Sequence, residues 1–126
     1  MAHIMVVNDS VEFLQLMEEL LTDEGYQVSI IESGAGTRAA AKRLRPDLLI
    51  LDVRLPDMNG FEVLNLLQLD PDTASIPVLL CTAAVHDVQA QEPVLRQRGI
   101  PVLFKPFDLD DLLRTIRRIL GEETES

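Results

Sequence analysis

Short apolar runs rich in β-branched residues alternate along this chain with longer stretches whose apolar positions return every three or four residues. The short runs predict strands over Ile4 to Asn8, Gln27 to Glu32, Asp47 to Asp52, Ile76 to Thr82 and Pro101 to Lys105. The longer stretches predict helices from about Val11 to Glu24, Gly36 to Arg45, Gly60 to Leu69, Asp87 to Arg98 and Leu109 to Leu120. The last is the clearest. Leu109, Leu112, Leu113, Ile116, Ile119 and Leu120 form one stripe, and Arg114, Arg117 and Arg118 lie largely off it. Asp108 is placed to cap its first turn, Asp110 and Asp111 suit the positive end of the helix dipole, and Gly121 supplies a left-handed stop. Gly25 ends the first helix in the same way. Pro93 lies inside the fourth predicted helix, which must begin near it or bend there.

Strands joined through helices run parallel, and right-handed crossovers put helices on both faces of the sheet. The prediction is therefore an α/β, doubly wound (βα)5 domain. In such sheets chemistry gathers outside the carboxyl ends of the strands. Those ends carry Asn8 and Asp9 after the first strand, Asp52 after the third, Thr82 after the fourth and Lys105 after the fifth. Strands exit into polar loops routinely, so each residue alone says little. Five such residues at one edge say more.

Composition narrows the picture. At 126 residues the chain has room for one core, and 47% hydrophobic with 25% charged residues is ordinary for a globular domain. Lys and Arg total 11 against 21 Asp and Glu; the net charge of -10 disfavours direct binding to nucleic acid or to anionic lipid. No window approaches the length of a membrane span, and Met1 to Val7 does not read as a signal peptide, so a cytoplasmic location is the default expectation. The one cysteine, Cys81, sits in an apolar run and reads as a buried filler.

The edge residues suit phosphoryl transfer to a carboxylate. Asp52 would attack phosphorus in line, with Mg²⁺, or Mn²⁺ in its place, offsetting charge on the equatorial oxygens. Asp9 and Asp52 would supply the metal's charge, and Asn8 is a further candidate ligand through its amide or a bridging water. Thr82 would donate its hydroxyl to one phosphoryl oxygen and Lys105 would pair with another.

Four segments carry a resemblance that spans nearly the whole chain: Val6-Val7-Asn8-Asp9, the stretch Pro46 to Gly60 around Asp52, Cys81-Thr82-Ala83, and Phe104-Lys105-Pro106-Phe107. In order and spacing they resemble the response-regulator receiver domain of two-component signalling. The resemblance implies a flavodoxin-like sheet in the order 2-1-3-4-5, a receiver domain over residues 1–121, and an acidic tail or linker start over 122–126. It implies Asp52 as phosphoacceptor, with Thr82 and Lys105 assisting, and the Arg54 backbone carbonyl as a metal ligand beside Asp9 and Asp52. The expected donor is a phosphohistidine on a sensor histidine kinase or a histidine phosphotransfer protein. The domain would catalyse its own phosphorylation and dephosphorylation, with no external substrate turned over. An effector would read the face made by the fourth helix, fifth strand and fifth helix.

Departures from the family pattern refine this. Two adjacent acids usually follow the first strand, and here the first is Asn8, which predicts weaker Mg²⁺ affinity. Arg54 stands where the family's side chain influences phosphoaspartate lifetime; it is either a lifetime determinant or a solvated loop arginine. Val102 replaces the usual aromatic switch residue. Phe104 shares its side of the strand, and core packing is the expected role. Gly99 stands closer to Lys105 than the family loop usually allows.

Three other readings compete. Ser33-Gly34-Ala35-Gly36-Thr37-Arg38-Ala39 follows a strand and opens a helix, like a relaxed dinucleotide fingerprint using Gly34 and Gly36, but it gives Asp9, Thr82 and Lys105 no task. A haloacid-dehalogenase-like phosphatase needs a second Asp where Arg54 stands. A degenerate receiver, binding partners without phosphorylation, is favoured by Asn8 and Val102. His3 and His86 lack partners at ligand spacing, and Met58 and Asn59 read as shaping the loop before Gly60.

Overall fold

Alternation along each strand sorts the core into two halves. In the computed structural model, which describes residues 1–122, five parallel strands form one sheet in the order β2-β1-β3-β4-β5. They are β1 (His3–Val7), β2 (Gln27–Ile31), β3 (Leu48–Leu51), β4 (Val78–Thr82) and β5 (Val102–Phe104). Met5, Val7, Leu49, Leu51, Val78 and Leu80 point to one face. Ile4, Val6, Leu48, Ile50, Leu79 and Cys81 point to the other. A strand covered on both sides has no polar face to show, which is why β1, β3 and β4 are buried throughout.

The helices divide between these faces. Leu14, Met17 and Leu21 of α1 (Val11–Asp23) join Leu112, Leu113 and Ile116 of α6 (Leu109–Leu120) over the Ile4 face. The opposite face is covered by α2 (Thr37–Leu44), α3 (Gly60–Leu69), α4 (Val85–Ala90) and α5 (Glu92–Arg98) through Ala40, Ala41, Val63, Leu64, Leu67, Val88 and Leu95. Each fully buried Leu, Ile or Met contributes about 1.5–3 kcal/mol relative to exposure. The α6 caps are those the sequence predicts: Asp108 accepts from the Asp111 N–H, and Gly121 is left-handed at φ 72°. Gly25 likewise follows α1 at φ 93°. The sheet order and doubly wound layering are the flavodoxin-like fold.

Two expectations need correction. The single helix predicted from Asp87 to Arg98 is two short ones, broken at Gln91, with Pro93 in the first turn of α5 where its missing N–H costs least. Phe104 is not packed into the core: at 39% exposure it joins neither cluster, whereas Val102 on the same side packs against the α4–α5 half. It ends a three-residue edge strand. Of the predicted tail, Glu122 is held: its carboxylate accepts from the Tyr26 hydroxyl at 2.8 Å, and its N–H donates to the Arg117 carbonyl at 2.8 Å. Residues 123–126 lie outside the described residues.

The entry to α3 is the tightest backbone approach in the fold. Gly60 donates its N–H to the Val53 carbonyl at 2.7 Å, and a Cβ on it would fall 2.3 Å from the Asp52 carbonyl oxygen and 2.7 Å from the Val53 Cα. Neither obstacle is a side chain that can swing away. Gly60→Ala should therefore lower stability by about 1–3 kcal/mol through overpacking, read as a lower urea midpoint at unchanged slope; a midpoint equal to the parent's would refute the close-approach account.

Candidate functional site

The strand ladder runs one hydrogen bond past the carboxyl ends. Asn8 donates its N–H to the Ile31 carbonyl at 3.1 Å, Asp52 to Val7 at 3.2 Å, and Lys105 to Thr82 at 2.9 Å. Sheet geometry thus fixes the backbone of these residues just beyond the last apolar positions. Asp52 is 8% exposed and Asn8 2%. A carboxylate so enclosed needs donors in place of water, and it has them. Oδ2 accepts from Asn8 Nδ2 at 3.0 Å and from the Lys105 ammonium at 3.1 Å, while Oδ1 accepts from the Arg54 N–H at 3.2 Å.

The neighbours are themselves held. Asn8 Oδ1 accepts from the Ser10 N–H at 2.8 Å, and Ser10 Oγ, capping α1, accepts from the Phe13 N–H at 3.2 Å. The Phe13 ring lies under the Lys105 ammonium, 4.1 Å from nitrogen to ring centroid. The contacts form a closed circuit from Asp52 through Asn8, Ser10, Phe13 and Lys105 back to Asp52. Thr82, 1% exposed on the adjacent strand, accepts from the Ala84 N–H at 3.1 Å, which leaves its hydroxyl hydrogen free to donate. Burial pushes the Cys81 thiol up to about 12, so the one cysteine is an inert filler of the core, as its sequence context predicts.

The structure thus joins Asn8, Asp52 and Lys105 directly and sets Thr82 beside them. Asp9 is exposed in the following loop, and among the described residues no protein donor holds its carboxylate. Asn8 turns its amide nitrogen, not its oxygen, to Asp52, and its oxygen is taken by Ser10. The Arg54 guanidinium reaches Asp87 of α4, with Nε 3.4 Å from Oδ2. His3 is buried against Ser29, and among the described residues no three His, Cys, Asp or Glu side chains are grouped as a metal cluster.

Two contacts around the site escape sequence reasoning. Phe13 looks like any apolar position of α1, because its partner Lys105 is remote in sequence. Asp57, in the loop after Asp52, ties that loop to the turn after β2: Oδ1 and Oδ2 accept from the N–H groups of Gly34 and Ala35 at 3.0 and 2.8 Å. Those are the amides a dinucleotide pyrophosphate would need, so the chain's own carboxylate already occupies the glycine-rich turn. A Cβ on Gly34 would stand 3.0 Å from that of Met58, so the turn and the loop pack closely here.

A parallel doubly wound sheet with a lysine-paired aspartate at its carboxyl edge defines an α/β protein of the flavodoxin-like class. The model of the response regulator receiver domain matches residues 4–117, and the chain belongs to that family. It is 32% identical to the protein PilH of Pseudomonas aeruginosa over 96% of this chain and 99% of that protein. It is 34% identical to the DNA-binding dual master transcriptional regulator RpaA of Synechocystis over 95% of this chain, but spans only 49% of that protein. Among solved structures, the receiver domain of a Pseudomonas aeruginosa sensor histidine kinase, with a magnesium ion coordinated in its active site cleft, superposes with a TM-score of 0.83 at 26% identity, covering 95% of this chain and 98% of that one. Among the described residues no helix is long and apolar enough to cross a membrane.

The Asp57 clasp has a pH signature. The N–H groups of Ala35 and Gly34 hold its carboxyl below the ordinary 3.8. Its contribution to stability is therefore fully present above that value and is lost as the pH falls through the folded value. Urea midpoints of parent and Asp57→Ala should differ most near neutrality and converge as the pH falls below the ordinary carboxylate range; a gap independent of pH would show that the clasp acts without its charge.

Proposed function

We propose that Asp52 is the phosphoacceptor of this receiver domain. The observation that carries the reading is the enclosed Asp52 carboxylate, with the Lys105 ammonium on Oδ2 and a single main-chain donor on Oδ1. Oδ1 keeps lone-pair capacity to attack phosphorus. The Oδ1–P bond forms as the bond from phosphorus to the donor nitrogen breaks, the pair of electrons leaving with the imidazole of a sensor histidine kinase or histidine phosphotransfer protein. Lys105 then has a phosphoryl oxygen to pair with, and the free Thr82 hydroxyl hydrogen serves a second.

The donor set fits Mg²⁺. This ion takes few carboxylates and keeps several waters, and the edge offers Asp9, Asp52 and the Arg54 carbonyl. Bound there, the ion would neutralise charge developing on the transferred group. Asn8 enters as a donor to Asp52 rather than as a ligand, which removes one charge from the metal site and supports reduced affinity. Arg54, held by Asp87, is close enough in the chain to bear on phosphoaspartate lifetime. Effectors would read α4, α5, β5 and α6, where Val85, Val94 and Phe104 are exposed. A second reading, a receiver that works unphosphorylated, draws support from the double pairing of Asp52 Oδ2 by Asn8 and Lys105.

Incubation with acetyl phosphate and Mg²⁺ should add one acid-labile phosphoryl mass, absent in Asp52→Ala; no Asp52-dependent adduct would leave the unphosphorylated reading. In the same assay Asn8→Asp should bind Mg²⁺ about tenfold more tightly, on the order of 1 kcal/mol, and equal affinities would show that Asn8 does not limit the metal.

A further inference from the structure

The Lys105 ammonium has two partners: Asp52 Oδ2 at 3.1 Å and the face of Phe13, 4.1 Å from its centroid. A lysine side chain has four carbon–carbon torsions and a compact charge that water solvates well. Its side chain here keeps a quarter of its surface exposed, so the carboxylate alone does not hold it in one place. That matters because the carboxylate oxygen it pairs belongs to the proposed acceptor, and the ammonium has to be available to an incoming phosphoryl group. The ring supplies an attraction that persists whichever anion the ammonium faces, since the negative face of an aromatic ring draws a cation without a proton donor or acceptor being consumed.

The ring's own position is fixed from two sides. Phe13 occupies the first turn of α1, and its N–H is the one the Ser10 cap accepts. Its side chain packs against the α1–α6 half of the core. It also forms one wall of an apolar groove of about 280 Å³ shared with Leu16, Lys105, Phe107 and Leu109. The Lys105 stem and the ring are thus side by side.

We infer that Phe13 is a positioning residue for phosphoryl transfer, holding the Lys105 ammonium over the acceptor edge through the face of its ring. The inference rests on Asp52 being the acceptor, and it adds a residue of α1 to a machinery otherwise drawn from strand ends. It acts through Lys105 and touches no reacting atom.

The test varies the ring's electrostatics at nearly constant shape. Phe13 is replaced by mono-, di- and trifluorinated phenylalanines, and by Phe13→Leu and Phe13→Trp, in the full chain. The readout is the rate of Asp52 phosphorylation by acetyl phosphate and Mg²⁺, in which the Oδ–P bond forms and the acetate leaves with the electrons of the broken P–O bond. Thermal midpoints are taken alongside. The rate should fall progressively with each fluorine, Phe13→Leu should be about fivefold slower, and Phe13→Trp should restore parental rate, none of this tracking the midpoints. A flat fluorine series in a parent that phosphorylates normally overturns the inference and leaves Asp52 as acceptor. A parent that takes no phosphoryl group at Asp52 overturns the acceptor reading and this one with it.

Discussion

An aspartate placed where water hardly reaches must be supplied with donors by the protein, and much of this structure follows from supplying them to Asp52. Its two oxygens receive an amide from β1's end, an ammonium from β5's end and the N–H of its own loop. These donors arrive from separate parts of the chain, and only the parallel order β2-β1-β3-β4-β5 brings them to one edge. The central strand ends in Asp52, and the ends of β1 and β5 carry side-chain donors that its carboxylate requires. The apolar alternation that fills two half-cores also sets the register that ends each strand at its chemical residue.

Periodicity alone makes most of this legible. Leu48 to Leu51 reads as a doubly covered strand, Leu109 to Leu120 as an amphipathic helix with both caps, and the exits of the strands as one edge. The fourth helix reads wrongly because its pattern of apolar residues is continuous across Gln91 while its backbone is not. Pro93 gives the warning, and either of its two consequences agrees with the sequence. Phe104 reads wrongly for a different reason: alternation says which side of the strand a residue occupies, not whether a helix extends far enough to cover it. Boundaries elsewhere shift by a residue or two, as hydrogen bonds rather than hydropathy define them.

The side chains that hold the site in shape are less visible than those that form it. Asp57 and Phe13 use ordinary residue types in ordinary positions, and each acquires its role from a partner that sequence distance hides. Asp57 also explains why a glycine-rich turn after a strand is no dinucleotide site here. The turn's free amides are real, but the anion that satisfies them is part of the same chain. Asn8 is the opposite case: its departure is plain in the sequence, and only the geometry shows that its nitrogen faces Asp52.

The break at Gln91 has a consequence for how motion is distributed. Isolated helices shorter than about 12–15 residues do not sustain themselves in water, and α4 and α5 have six and seven. Each buries one side chain of its own, Val88 and Leu95, whereas α1 and α6 each bury three. Local unfolding draws on the segments with the fewest buried anchors. This part of the domain is therefore tied to the sheet by fewer buried side chains than any other helix, the condition under which local opening precedes that of the sheet.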